Sequence, residues 1–255
     1  MSELQTRTTI LVPIDYHGIN PATLETLVLI ARLLNRRLLG LILENPRLQR
    51  VAELPFTTEI LLSSGVERSL ERDHLSRHHS QVAEDTRRRL LALAQQASIE
   101  LDFEDDQGER WHAALSRNGE SDIFIPPRRR WQTPPSPGKA RYPVVQRLGL
   151  LLGGGPMDRR LVATVLALEE AGLVASVYVL SPGRPDPELC SPLLRGRARC
   201  HLQSGAPTDA AGLANLIRHS PYDLLIIARD QLAALPEATL DRALEEAGGQ
   251  VMVVS

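Results

Sequence analysis

The sequence predicts an α/β protein made of two doubly wound parallel-sheet domains, and three observations carry that expectation. Short apolar runs of strand length alternate with stretches that repeat apolar residues at helical spacing, the pattern of right-handed β–α–β crossovers. The pattern is also written twice. Asp15 ends the apolar run 10–14 and is followed by Asn20-Pro21, a helix N-cap with proline at the first helical position. Gly153 ends the run 148–152 and is followed by Asp158, another N-cap type, at an offset of 138 residues that persists into the next runs, 38–43 and 176–181. Finally, Asp122-Ile123-Phe124-Ile125 matches Asp223-Leu224-Leu225-Ile226-Ile227 at an offset of 101, so the second copy is 37 residues shorter in its middle. A repeat of this size implies two related lobes, 1–145 and 146–255, with function to be sought in their clefts and where they meet.

The elements follow in order. Residues 8–14 are too few for a helix and continuously apolar, which suits a parallel strand covered on both faces. Leu24, Leu27, Val28, Ala31 and Leu34 recur at helical spacing up to Asn35, and 38–43 form the second strand. Residues 44–65 carry apolar side chains without a clean period and read as a loop with a helical turn on the sheet edge. Val66, Leu70, Val82, Leu90, Leu93 and Ala97 share one stripe, which predicts a long helix over 66–97. At ~1.5 Å per residue it would exceed about 40 Å. Ile99, Leu101 and Phe103 alternate with Glu100, Asp102 and Glu104, a half-exposed strand, and a short helix over 109–117 leads to strand 122–125.

Residues 126–143 read as a linker, because Pro126-Pro127, Pro134-Pro135 and Pro137-Gly138 forbid helix and sheet and favour extended chain. A short strand over 142–145 would close the first sheet. The second copy reads strand 147–152, helix 158–171, strand 175–180, loop 181–197, strand 198–203, helix 209–219, strand 223–228, helix 237–247 and strand 250–254. The closing strands, near Val144 and Val145 and over 251–254, are expected at the interface of a pseudo-dimer of the two lobes, since a lone five-stranded sheet leaves edges exposed. The insertion 44–97 is the main segment that the second copy lacks.

Composition narrows the function. A hydrophobic content of 43% supports real cores, and aromatics at 4% make the packing aliphatic. A formal net charge of −2 gives no bulk attraction to nucleic acid or membranes, and neither is expected as a partner. Residues 2–9 lack a secretory pattern and no run approaches the ~18 apolar residues of a membrane helix, so the expected location is the cytoplasm with Cys190 and Cys200 reduced.

Val12-Pro13-Ile14-Asp15 before a capped helix, Gly153-Gly154-Gly155-Pro156-Met157-Asp158 at the corresponding turn, the two Asp-led strands and the closing Gln250-Val251-Met252-Val253-Val254 follow one another in a telling order. In that order they resemble the opening strand, the Asp-Gly-Ser-Pro-x-Ser turn, the Asp-Leu-Ile-Val strand and the last strand of the universal stress protein family, in its tandem form. The resemblance implies that family's adenine nucleotide alpha hydrolase-like fold and a place in the stress response. It also implies that Asp15 stands at the acidic position that contacts nucleotide, whereas its counterpart Gly153 offers no carboxylate. Nucleotide-binding members carry a glycine-rich stretch, G-x-x-G-x9-G-[ST], after the fourth strand, whose N–H groups cradle phosphate. Here the first copy reads Pro126-Pro127-Arg128-Arg129-Arg130-Trp131 and the second Arg229-Asp230-Gln231-Leu232-Ala233-Ala234-Leu235-Pro236. Neither has the loop, and prolines lack the donors phosphate needs.

The expectation is therefore a binding or regulatory module with a degenerate nucleotide site and no cofactor, not an enzyme. The candidate ligand-binding residues are Pro13, Asp15, Arg128, Gly153, Gly154 and Gly155. Leu54, Pro55 and Phe56 are the candidate surface for a protein partner of unknown identity, or merely cover the first lobe's own sheet; a homodimer is left open. One alternative is a stress protein that binds ATP or AMP through Asp15 and Arg128, Arg129 and Arg130. A second is an adenine-nucleotide enzyme working at the Gly153-Gly154-Gly155 turn. Plainer readings stand beside each: a tight turn for the glycines, a turn cap for Asp15, a solvated linker for the arginines. His74 and His78 are spaced to hold a metal, but lack an assigned third ligand and equally suit an exposed helix face; no metal site and no catalytic set is assigned.

Overall fold

The computed structural model describes residues 8–15, 18–43, 54, 58–60, 65, 67–69, 72–106, 115, 121–127 and 144–255. The elements run β1 (Thr9–Ile14), α1 (Pro21–Leu33), β2 (Arg37–Leu43), β3 (Thr58–Ile60), β4 (Glu67–Ser69), α2 (Arg72–Ala97), β5 (Leu101–Asp106) and β6 (Asp122–Ile125). They continue with β7 (Val145–Leu151), α3 (Asp158–Glu170), β8 (Val174–Ser181), α4 (Pro187–Leu194), β9 (Arg199–Ser204), α5 (Ala210–Arg218), β10 (Leu224–Ala228), α6 (Arg229–Ala233), α7 (Glu237–Glu245) and β11 (Gln250–Val254).

Nine of these strands make one sheet, in the order β5-β2-β1-β6-β11-β10-β7-β8-β9. Within β5-β2-β1-β6 every pairing is parallel, and so is every pairing within β11-β10-β7-β8-β9. The two sets meet where β6 pairs antiparallel with β11, Ile123 opposite Val253, Phe124 opposite Met252 and Ile125 opposite Val251. The α/β, doubly wound class expected from the sequence is what the chain adopts, with the two copies fused edge to edge into a single sheet.

Local chemistry accounts for the ends of the helices. The Asn20 side chain accepts from the Ala22 N–H at 2.9 Å, with Pro21 at the first helical position. Asp186 and Pro187 repeat the device at α4, where Asp186 accepts from Glu188 N–H at 2.9 Å. Asn35, at φ +51°, takes the left-handed conformation that turns the chain from α1 into β2. Pro13 sits inside β1, yet β1 pairs with β6 only at Ile10 and Leu11, so the missing donor falls where that ladder has ended.

The core has two layers. Ile10, Val12, Ile14, Phe124, Leu148, Leu150, Ile226 and Met252 face α1, α2, α3 and α4; Leu11, Ile123, Ile125, Leu225, Ile227, Val251 and Val253 face α5, α6 and α7. Phe124 and Met252 are fully buried, and α1 touches α3 across the junction.

Several expectations are corrected. The helix over 66–97 begins at Arg72, because 67–69 pair with 58–60, inside the stretch expected to be loop. The stretch 181–197, expected to be loop, contains α4, which Asp186 and Pro187 open as an N-cap and a first-position proline. Val145 opens β7, between β8 and β10, instead of closing the first sheet, so only 251–254 of the expected closing strands lies at the junction. The offset of 101 between the Asp-led strands is also one residue short. Ile10 faces Asp122 in register while Leu148 faces Leu224, and Phe124 shares its core layer with Ile226. Asp122 therefore stands where the second copy has Leu224, and Asp223 lies outside its strand. Among the described residues no helix is long and apolar enough to cross a membrane.

Because Phe124 fills the layer at the joint between the two strand sets, Phe124→Ala should cost about 3–5 kcal/mol. Chemical denaturation followed by circular dichroism should show one cooperative transition moved to lower denaturant. Two separated transitions would contradict the fused sheet.

Candidate functional site

The sequence-predicted ligand residues do not form one site. Strands β1 and β7 run in opposite directions, so Pro13 and Asp15, at the C-terminal end of β1, lie at the other end of the sheet from the Gly153-Gly154-Gly155 turn after β7. Asp15 is half-buried, and its carbonyl accepts from Gly18 N–H at 3.0 Å, closing a turn. Gly18, at φ +66°, lies against α2: a Cβ there would come within 2.9 Å of Val82 Cγ1. Arg128 lies outside the described residues, as do Pro55 and Phe56; Leu54 is exposed. The side chains of His74 and His78, on α2, also lie outside them, and among the described residues no cluster of metal-binding side chains occurs.

At the C-terminal end of β7 the chain has its own ligand. Asp158, buried in the first turn of α3, accepts from Gly153 N–H at 3.0 Å and from Gly154 N–H at 2.9 Å. Backbone N–H groups at a strand-to-helix turn are where such folds hold an anion, and here a protein carboxylate takes them. Gly154 has φ +78°, a conformation that favours glycine and aims its amide inward. The space in front of Gly153 is filled as well. A Cβ there would come within 2.9 Å of Gln231 Nε2, and Gln231 is fixed by accepting from Ala228 N–H at 3.1 Å. Gln231 stands in α6, directly after β10, so its side chain fills the space that any side chain at position 153 would need.

Beside this turn lies a polar cluster that the sequence did not announce. Asp122 is 2% exposed, and by strand alternation it shares the face of Phe124 towards α1 and α3. Its Oδ1 accepts from Ser255 N–H at 3.1 Å. Arg36 Nη2 lies 3.8 Å from one carboxylate oxygen and Arg160 Nη2 3.6 Å from the other. Arg229, at the start of α6, donates to Ser255 Oγ at 2.7 Å, Leu115 O at 2.8 Å and Ser121 O at 2.6 Å, tying β6, β11 and α6 together. Burial pushes the Asp122 carboxyl above its ordinary 3.8, against the pull of Ser255 N–H, Arg36, Arg160 and Arg229. Burial likewise lowers Arg229, opposed by Asp122. The signal available in the sequence was a charged residue inside an apolar strand; alignment with Asp223 disguised it as a strand boundary.

The thiols give no reactive centre. Cys190 is buried and both cysteines are unbridged. Burial, followed by the neighbouring Cys190 and Glu169, raises Cys200 to about 11, far from the thiolate range.

These features define a doubly wound α/β fold built on one mostly parallel sheet. No protein-family model matches the chain, and no curated protein matches its sequence. Among solved structures it is similar to a universal stress protein from Archaeoglobus fulgidus DSM 4304, with a TM-score of 0.50 and 10% identity over 97% of this chain and 96% of that one. A functionally unknown protein from Pseudomonas aeruginosa PAO1 aligns at a TM-score of 0.44 and 12% identity over 98% and 93% of the two chains. At these identities the likeness to the universal stress protein is one of fold.

Asp158→Ala would leave two amides of the glycine turn without their acceptor, a loss of about 1–3 kcal/mol. Thermal unfolding should show it; a variant as stable as the wild type would mean that the carboxylate does not hold the turn. For Asp122 the sign follows from its raised folded-state value. The native state holds that proton more tightly than the unfolded chain, so the group's contribution is complete below the unfolded value and is lost as pH rises through the folded one. Asp122→Asn cannot titrate. Its melting temperature relative to wild type should therefore climb as pH rises from the ordinary carboxylate range towards neutrality, and a constant or falling difference would contradict the assignment.

Proposed function

We propose that this chain is a universal-stress-protein-like binding or regulatory module of the cytoplasm that has given up its nucleotide pocket, and that it is not an enzyme. The observation that carries this reading is the Asp158 carboxylate on the amides of Gly153 and Gly154. A triphosphate entering that crevice would have to displace a buried, doubly hydrogen-bonded carboxylate of its own sign, and would then meet Gln231 over Gly153. The absence of the glycine loop from both copies and the two prolines after β6 support the same conclusion. Its role in the stress response and its protein partner rest on the family resemblance alone, and Leu54 with its neighbours is the surface we assign to that partner.

Titration calorimetry with ATP and AMP at physiological salt tests the reading. The expected result is no saturable heat and no ATP hydrolysis. Micromolar, ATP-selective binding that disappears on Asp15→Ala would overturn it, in favour of a nucleotide-binding protein that uses the first strand set.

A further inference from the structure

Arg36 and Arg160 come from opposite strand sets, one preceding β2 and the other in the first turn of α3, yet they converge on the two oxygens of one carboxylate. Both approaches are longer than a hydrogen bond, at 3.8 and 3.6 Å. Among the described residues neither guanidinium donates a hydrogen bond, and Arg36 Nε is a buried donor without a partner. A guanidinium carries five N–H donors in a planar fork suited to oxyanions. Asp122 also feels the charge of Arg229, whose own donors are taken by Ser255, Leu115 and Ser121. Three cations therefore surround Asp122, at a joint where Asp122 is 2% and Arg36 22% exposed. Arg160, at 39%, leaves the cluster open on one side.

We propose that Arg36 and Arg160 form a binding site for a phosphoryl dianion at the junction of the two strand sets. The oxygens of a phosphoryl dianion can accept from both forks at once, where the single carboxylate of Asp122 lies too far to do so. Asp122 positions the two guanidinium groups and repels the incoming anion, which keeps the affinity modest. The site takes a phosphoryl group without needing a base or sugar, so it stands independently of whether the glycine turn binds ATP.

The test is calorimetry and thermal shift with inorganic phosphate against chloride at matched ionic strength, on the full chain. Saturable binding and stabilisation by phosphate beyond chloride are expected. Arg160→Gln, a part-exposed change, and Arg36→Gln should each weaken phosphate at least tenfold while circular dichroism stays native. Asp122→Asn keeps an acceptor for Ser255 N–H and removes the repelling charge, so phosphate should bind severalfold more tightly, an effect that a purely structural ion cluster would not produce. No difference between phosphate and chloride, unchanged affinity in both arginine variants, or weaker binding in a folded Asp122→Asn would each overturn the proposal. Glycerol 3-phosphate binding as tightly as inorganic phosphate assigns the site to a phosphomonoester; binding of inorganic phosphate alone assigns it to the free ion. ATP binding lost on Asp15→Ala but kept in the arginine variants would count against the proposed function and leave this site to be judged by phosphate.

Discussion

The antiparallel pairing of β6 with β11 is the constraint on which the rest of the structure depends. The first strand set has only four strands, and β6 would otherwise end it as a bare edge. Strand β11 closes that edge with Val251, Met252 and Val253 and so belongs to both sets. An edge row of unpaired N–H and C=O groups invites aggregation, and the chain removes it by turning its second copy around. Two layers of aliphatic side chains then run unbroken through the joint, with Phe124 and Met252 at its centre.

Reversal of direction also decides where chemistry can occur. The C-terminal ends of parallel strands are where doubly wound sheets place ligands, and here the two sets present theirs at opposite ends of the sheet. At the second set's end the amides that would hold an anion carry Asp158, and Gln231 fills the adjoining space. The same end brings the start of β6 beside the end of β11. A buried carboxylate, Asp122, consequently meets arginines from α3, α6 and the chain before β2. A buried charge is costly unless it is compensated, and the compensation is assembled from both copies. The joint that settles the fold thereby brings together a cluster in which Arg36 Nε is a buried donor without a partner.

Much of this was legible in the sequence. The strand-length runs, the Asn20-Pro21 cap and the 138-residue offset predicted the parallel sets, because periodicity and capping are local properties. The joint was half legible: 251–254 carried the hydrophobicity of a central strand, but no local signal distinguished Val145, which opens β7, and Val144 before it from the residues of a closing strand. The single-residue slip between Asp122 and Asp223 was invisible for a physical reason. Either register keeps apolar residues in an apolar strand, and only the alternation of faces in three dimensions shows that Asp122 replaces a leucine. The Gly153-Gly154-Gly155 turn is legible as a turn, but the sequence does not show that Asp158, an N-cap type by position, accepts from two of its amides. Arg36, Arg160 and Arg229 lie far apart in the chain, and nothing in their spacing brings them to one carboxylate.

Native-state amide hydrogen exchange on β6 and β11 measures the joint most directly. If β11 completes the first strand set as well as the second, amides of both strands should exchange only through global unfolding, with protection equal to that of β10 at the centre of its own set. Exchange of the β6 amides through a smaller opening that leaves β10 and β11 protected would mean that the two sets are separate sheets in contact, and would contradict the account.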